Sequence, residues 1–329
     1  MPQQKRPTLA DVAAAAGVSK AAASRVVNDA PGVAPQTREH VRRVIERLGW
    51  RPDPAARALA SGHGDVIELV VVDDPSCFSD NPYYGRVTAG ILLELAGGHV
   101  QLRVHVIEEA RAAALLPTLA GTVSLGALLL NVSPARAAGF HARCDRVVTM
   151  GPSAPGVPYV DMENAAGTAM AVRHLHETGR RRIAAVHGQE GNPDADARRE
   201  GYARTVRDLG LPDISAIGKF RPEQGYELTQ RLLAEDPAVD AIVAGNDQMA
   251  TGVMRALAHL GRRVPQDVAV VGFDNCIIAS SLTPALTSVH QPVEEMAAAA
   301  TRALINRQIA PHWRLVFPAG LRIRESSHQ

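Results

Sequence analysis

From Asp65 onward the chain alternates between two lengths of apolar pattern, and this limits the fold more than any other feature. Apolar runs of strand length stand at 66–72, 100–107, 126–131 and 146–150. Between them lie stretches of helical periodicity at 82–96, 109–120 and 134–142. GPSAPGVP, residues 151–158, then breaks the pattern with Pro and Gly. A second alternation follows. It predicts helices over 163–178, 194–210, 222–235 and 246–260, and strands over 182–187, 216–220, 241–244 and 268–273. Strand–helix units in series build parallel sheets covered on both faces. VIELVVV at 66–72 reads as an apolar strand with one interruption, Glu68. Two such runs around one break predict two α/β lobes. Ligands in these folds bind beyond the carboxyl ends of the strands, so the cleft between the lobes is the expected pocket.

The first sixty residues follow another pattern. Thr8 to Asn28, TLADVAAAAGVSKAAASRVVN, reads as two short helices about a tight turn. Thr8 caps the first, with Asp11 three residues on as a short-armed capping-box acid. Leu9, Val12, Ala13 and Ala16 form one apolar stripe, and Gly17 supplies the left-handed residue that ends a helix. Ser19 caps the next helix, whose inner face is Ala23, Val26 and Val27. Lys20, Ala21, Ser24, Arg25 and Asn28 are left on other faces. After DAPGVAP, Pro35 opens a third helix with Val41, Val44, Ile45 and Leu48 on its apolar side. This is the helix-turn-helix pattern, whose second helix enters the DNA major groove. A helical hairpin without a ligand has the same local pattern, so charge must separate the two.

Residues 1–60 hold ten Lys and Arg against five Asp and Glu, a net of +5, while the whole chain carries +1 and the remainder therefore −4. A basic first sixth on a mildly acidic body indicates a nucleic-acid module on a separate carrier. Arg38, Arg42, Arg43 and Arg47 lie off the stripe of the third helix. They are either an ordinary solvated face or phosphate-binding charge. The 329 residues suffice for two or three domains, and with aromatics at 4% the core must be aliphatic. Cys77, Cys144 and Cys276 form no CxxC and fit buried thiols in a reducing cytoplasm. MPQQKRPTLAD has no apolar signal core, and no apolar run approaches the roughly 18 residues of a membrane span. A cytoplasmic protein without a membrane partner is expected.

Between the two regions, WRPDPAARALASG offers Asp53 as the cap of a helix from Pro54 to about Ala60. A helix this short is marginal alone, which suits a segment ordered in only one context. SGHGD follows as a linker. Gly62 and Gly64 stand at G-x-G spacing, but Ile67 takes the third glycine position and a strand follows. No dinucleotide fingerprint is present and no cofactor is expected. The expected organisation is a helix-turn-helix domain at 1–52, a hinge helix and linker at 53–64, and an α/β core at 65–329.

Taken in order, these segments resemble the LacI/GalR family of bacterial transcriptional regulators over essentially the whole chain. TLADVAAAAGVSKAAASRVVN resembles its helix-turn-helix and PDPAARALASG its hinge helix. NPYYGRVTAGI, ENAAGTAM, HLHETGRRRIAAVHG, AGNDQMATGVM, VPQDVAVVGFDN, TPALTSVHQP and RIRESS resemble its effector-core signatures. The resemblance implies a two-lobed core of the periplasmic-binding-protein type with three crossovers between lobes. One lobe would take about 65–158 plus 290–316, and the other about 159–289 plus 317–329. It also implies a homodimer, a pseudo-palindromic operator and a repressor controlled by a small effector in the cleft. Ala22, Ala23, Ala34 and Asp53 depart from the family's usual Thr, Val, Ser and Asn.

The same resemblance implies site residues. Lys20 and Ala21 are the variable reading positions at the start of the recognition helix, and Arg25 matches an arginine that reads guanine. Lys20 suits either guanine O6/N7 or a phosphate, and Ala21 a thymine methyl. Thr8, Ser19, Ser24 and Asn28 position the DNA backbone. Leu59 matches the hinge leucine wedged into the minor groove. In the cleft, Asp274 accepts from ligand hydroxyls or amines and Arg198 matches the cleft arginine. Asn246, Asn192 and Asp194 add polar groups, and Phe220 with Tyr83 or Tyr84 supplies rings. Gln291 and Glu163 rank lower, since each can instead hold a crossover. Asp, Asn and Arg with flanking rings suit a carbohydrate; a purine is the alternative. Asn192 stands where purine-binding relatives carry arginine, which disfavours purine.

Two other functions compete. A carbohydrate-binding protein without regulation would share the two lobes, but the basic N-terminal module argues against it. An enzyme would need a phosphate loop, a nucleophile elbow or a spaced metal set, and none is present. His174 and His176 are two apart on a helix and face different directions, so they make no metal pair. A regulator without catalytic activity is expected.

Overall fold

A computed structural model describes residues 7–27, 31–48, 50, 65–310 and 312–328. The chain divides into two compact units, Met1–Asp65 and Val66–Gln329. In the first, α1 (Leu9–Ala15), α2 (Lys20–Val27) and α3 (Pro35–Leu48) surround Val12, Ala16, Val26, Val41 and Val44. Val18, Val33, Ile45, Leu48 and Trp50 close this core from its margins. Gly17 turns the chain between α1 and α2 at φ 63°, a left-handed conformation open to glycine without steric cost. The proposed hinge at 53–64, with Asp53 and Leu59, lies outside the described residues, as does Asn28.

The second unit contains two six-stranded sheets. The first half of the chain supplies β1 (Val66–Val72), α4 (Pro75–Asp80), α5 (Pro82–Leu95), β2 (Gln101–Ile107), α6 (Glu109–Ala120), β3 (Gly126–Leu130), α7 (Pro134–His141), β4 (Val147–Met150) and β5 (Tyr159–Met162). The second alternation supplies α8 (Asn164–Glu177), β6 (Ile183–His187), α9 (Pro193–Asp208), β7 (Ile214–Ile217), α10 (Pro222–Glu235), β8 (Ala241–Ala244), α11 (Asp247–His259) and β9 (Ala269–Asp274). Then come α12 (Ile277–Ser281), β10 (Thr287–His290), α13 (Val293–Ile305), β11 (Arg314–Phe317) and β12 (Gly320–Arg322). The sheet orders are β11-β5-β4-β3-β1-β2 and β12-β10-β9-β8-β6-β7. Every pairing is parallel except β10 with β12.

The strand order shows how the lobes are connected. The chain leaves the first sheet after β5, returns with α13 and β11, and ends in the second sheet with β12. These are the three crossings implied by the family resemblance. The first crossing falls at Glu163, not within the Pro/Gly stretch at 151–158. That stretch folds back inside the first lobe: Thr149 N donates to Pro158 O at 3.0 Å and Gly151 N to Val160 O at 2.8 Å. β5 is thereby laid parallel to β4. Pro and Gly marked a tight connection between two strands of one sheet, not a lobe boundary. α13 crosses back onto α5, where Gly90 permits close approach; a Cβ there would stand 2.3 Å from Glu294 O.

Two further expectations shift. The strand predicted over 216–220 lies at Ile214–Ile217, paired with β6 through His187, and Phe220 falls in the bend beyond. The short α4 showed no helical stripe; Asp74 caps it by accepting from Ser76 N, with Pro75 in its first turn. No helix among the described residues is long and apolar enough to cross a membrane. Cys77, Cys144 and Cys276 are free, the last two buried and Cys77 only partly so.

Candidate functional site

In the helical unit, local chemistry sets which side chains face outward. Thr8 and Asp11 form a full capping box: Thr8 N donates to Asp11 Oδ2 at 2.8 Å, and Asp11 N to Thr8 Oγ1 at 3.3 Å. Ser19 Oγ accepts from Ala22 N at 3.1 Å and starts α2. Ala23 and Val26 turn into the core, at 0% and 4% exposure. Lys20, Ala21 and Arg25 are therefore exposed on α2, and Ser24 is half-buried. Thr8 and Ser19 act first as helix caps, whatever contact they make with a backbone phosphate.

In the second unit the polar groups gather at the carboxyl ends of the strands, where a doubly wound sheet leaves room. Asp73 follows β1, Asn131 follows β3, and Gly151 follows β4. Asp161 is in β5, His187 ends β6, Asn246 follows β8, and Asp274 ends β9. Asn131 and Asp274 take positive φ, 55° and 101°, as the chain turns out of the sheet. Leu129, Asn131, Thr149, Gly151, Asn192 and Asp194 are among the residues lining a narrow crevice.

Arg198 is the hub. It is 6% exposed, and its guanidinium carbon lies 3.6 Å from the Phe273 ring centre and 5.8 Å from that of Phe220. Its Nε donates to Asn164 Oδ1 at 2.8 Å, its Nη1 to Gly245 O at 2.8 Å, and its Nη2 to Gln291 Oε1 at 3.2 Å. Asp274 Oδ1 stands 3.5 Å from Nη1. Arg198 thus joins two helices, the β8–α11 loop and the returning crossover. Arg86 braces the back of the site, donating to Asp274 O at 2.9 Å and Gln291 O at 2.9 Å, with Glu294 as its ion-pair partner.

Beside Arg198 lies a pair of carboxylates. Asn164 Nδ2 donates to Asp161 Oδ1 at 3.0 Å and to Asp194 Oδ1 at 3.3 Å. Burial, and then the charge of Asp194, push Asp161 up to about 7. Burial also raises Asp194, against the pull of Arg198. Asp274 is pushed up to about 6 by burial, which Arg198 and Arg86 oppose. Tyr83 is close enough to feel Asp194, Asp274, Arg198 and Asp161, and burial raises its hydroxyl pKa.

The predicted cleft residues divide into three groups. Arg198, Asp274, Asp194, Tyr83 and Phe220 come together. Asn192 and Asn246 lie at the same place but are engaged as helix caps. Asn192 Oδ1 accepts from Asp194 N and Ala195 N at 3.1 Å each, and Asn246 Oδ1 accepts from Met249 N at 2.8 Å. Asn192 Nδ2 also reaches Asn131 Oδ1 across the lobes at 3.3 Å. Tyr84 is the one placed differently. It is 1% exposed, stacked on Phe78, and its hydroxyl is held by Asp73 and by Asn131 Nδ2. Of the two tyrosines, then, Tyr83 is the cleft ring. Gln291 holds the crossover and also Arg198; exposed Glu163 begins α8, its N donating to Phe317 O.

Sequence reasoning missed Asp161, Asn164 and Phe273. Asp161 was hidden by reading 151–158 as the boundary, and Asn164 by its position inside a predicted helix. Phe273 stood beside Asp274 in GFDN, where a strand residue reads as core. Asp247 was also missed; its buried carboxylate accepts from Cys276 N at 2.8 Å and Ser288 Oγ at 2.6 Å.

A helical unit with an exposed, basic second helix and a two-lobed core with a polar cleft at its strand ends together define an effector-controlled DNA-binding regulator. Comparison with known proteins narrows the class. Residues 8–53 match the model of bacterial regulatory proteins of the lacI family, and residues 172–327 the periplasmic binding protein-like domain. The HTH-type transcriptional regulator CelR of Thermobifida fusca is 35% identical, over 99% of this chain and all of that protein. A solved complex of the regulator CelR with cellobiose has TM-score 0.74 at 33% identity, covering 98% of this chain and 100% of that one. The lac repressor dimer bound to operator and the anti-inducer ONPF has TM-score 0.77 at 25% identity, covering 99% and 100%. The chain belongs to the LacI family of transcriptional regulators.

Proposed function

We propose that this regulator is a cytoplasmic repressor that binds a pseudo-palindromic operator as a homodimer, with its hold on DNA set by a carbohydrate in the cleft. The observation that carries the carbohydrate reading is the Arg198 hub. A planar guanidinium and the Asp274 carboxylate lie together at the strand ends, with Tyr83 and Phe220 as rings nearby. Planar polar groups grip vicinal hydroxyls, and a ring covers the apolar face of a sugar. The cellobiose complex of the related CelR supports the reading. The protein acts by binding and does not turn its effector over. Lys20, Ala21 and Arg25 read bases on α2, and the effector changes operator affinity through a difference in its fit to two lobe arrangements.

A thermal-shift screen of neutral sugars and purines tests the effector class. Duplexes selected from a random pool by binding then supply the operator for mobility-shift assays. A sugar that raises the melting temperature and alters operator affinity is expected. Stabilisation by purines alone would remove the carbohydrate reading, and chemical conversion of the bound sugar would remove the non-catalytic one.

A further inference from the structure

The cleft gathers buried carboxylates beside cations that are for the most part already engaged. Asp194, Asp274 and Asp161 all act on the Tyr83 hydroxyl through their charge, and Asp73 accepts from the Tyr84 hydroxyl beside Asn131. Asn164 ties Asp161 and Asp194 together through one amide nitrogen. All three guanidinium nitrogens of Arg198 donate within the protein, to Asn164, Gly245 and Gln291, and Asp274 lies against it. Arg86 is occupied by Asp274 O, Gln291 O and Glu294. Arg221, near α4, is held by Cys77 Sγ at 2.8 Å and faces Asp74 at 3.6 Å. Arg199 pairs with Asp196 through Nη2 at 2.8 Å, while its buried Nη1 has no protein partner among the described residues. Burial brings His187 down to about 4, so it stays neutral and adds no positive charge.

Resting on the reading of this cleft as a carbohydrate site, we propose that it selects effectors rich in hydrogen-bond donors and free of negative charge. Phosphorylated sugars and sugar acids are excluded. The carboxylates accept hydroxyl protons in short, charge-assisted hydrogen bonds, which a neutral polyol supplies in number. A phosphate or carboxylate brought into the same crevice meets fixed, desolvated charge of its own sign. Of its five N–H groups Arg198 gives three to Asn164, Gly245 and Gln291 and turns a fourth towards Asp274, so it offers an anion a single donor and no two-pronged grip. Specificity here is in large part a repulsive element aimed at the anionic relatives of the effector. An ammonium group, as in an amino sugar, is tolerated because it faces acceptors.

The test uses the full-length protein and isothermal titration with matched probes: cellobiose, ribose, lactose and glucose, then ribose 5-phosphate, glucose 6-phosphate, glucuronate and glucosamine. At least one neutral sugar is expected to bind. Its phosphorylated or carboxylated counterpart should bind about 100-fold more weakly or not at all. At pH 8, Asp161→Asn combined with Asp194→Asn removes both carboxylates with little change of shape and should narrow that gap about tenfold. The melting temperature of the double variant shows that it has folded. An anionic sugar binding within threefold of its neutral parent overturns the charge rule and leaves the carbohydrate reading standing. A gap unchanged in the double variant overturns the role given to the acidic pair. If no sugar of either charge binds, the carbohydrate reading itself falls, and the charge rule with it.

Discussion

Arg198 shows most clearly what one residue contributes to this cleft. Its fork-shaped guanidinium satisfies three acceptors on three segments and still lies flat on Phe273. Lysine carries the same charge on a compact head and cannot reproduce that geometry. Arg198→Lys should therefore leave Gly245 O or Gln291 Oε1 unsatisfied, cost about 2 kcal/mol of stability, and weaken sugar binding by about tenfold or more. Chemical denaturation and titration calorimetry check both; a variant with native stability and affinity would reduce Arg198 to a bare charge. Lys20 on α2 presents a different question, because an exposed cation there serves either a phosphate or a base edge. If it contacts phosphate, Lys20→Ala should weaken all sequences alike and lower the salt slope of binding by about one unit. If it reads guanine, discrimination at one base pair should fall by about 1–3 kcal/mol. Binding to a substituted operator series at two salt concentrations separates these outcomes.

Among the elements, α5 and β2 together leave apolar surface uncovered. Leu92 and Leu93 on α5 are 51% and 69% exposed, and Val104 on β2 is 38% exposed. The two elements pack together, and β2 is an edge strand of the first sheet. Ile277 and Ile323 are exposed as well, but on α5 two adjacent leucines lie beside an edge strand, and such a surface suits a partner. A second copy fits, because the homodimer proposed above would set one α2 on each half of the proposed pseudo-palindromic operator. Leu93→Glu should give a monomer in sedimentation and lose most operator affinity, while sugar binding survives. A dimer that persists would place the interface elsewhere. The elements were also the scale most legible in the sequence. α10 and β8 fall where periodicity placed them, and the Thr8–Asp11 capping box was visible as two letters three apart. Less visible was anything set by contact between distant segments. β5 is four residues long, and only its ladder with β4 and β11 reveals it as a strand of the first sheet. The pairing of Asp161 with Asp194 depends on that placement. The separation of Tyr83 from Tyr84, adjacent residues of one helix, is also set by distant contacts, since Tyr84 is held by Asp73, Asn131 and Phe78.

At the scale of the whole core, the buried carboxylates tie stability to pH and to the effector. Asp161 and Asp247 are pushed up to about 7, and Asp274 to about 6, in each case mainly by burial. The facing groups are Asp194, Arg198 and Asn164 for Asp161, Arg198, Arg86 and Asp194 for Asp274, and Asp274, Ser288 and Cys276 for Asp247. Between about pH 4 and pH 7 the folded state keeps protons that the unfolded chain has lost. The stability from this source is complete below the unfolded carboxylate range and is lost as pH rises through 6 to 7. His187 acts in the opposite sense. Its folded value of about 4 lies below the ordinary 6.5, so stability is lost as pH falls from 6.5 towards 4. Burial also lowers His174 and His290, in the same sense as His187, and raises Asp194, in the same sense as the other carboxylates. The carboxylates are moved furthest from their ordinary range, and without effector the core should melt at a lower temperature at pH 8 than at pH 5.5. A donor-rich effector reverses that trend. Its hydroxyls bond to the ionised carboxylates, so binding releases protons and affinity grows as pH rises through 6 to 7. The melting-temperature gain from a bound neutral sugar should then be greater at pH 8 than at pH 5.5. Titration in buffers of different ionisation enthalpy should show net proton release near pH 6.5. Proton uptake there would mean that the ligand meets the carboxyl groups in their protonated form, as an acceptor, and the donor-to-carboxylate geometry would have to be abandoned.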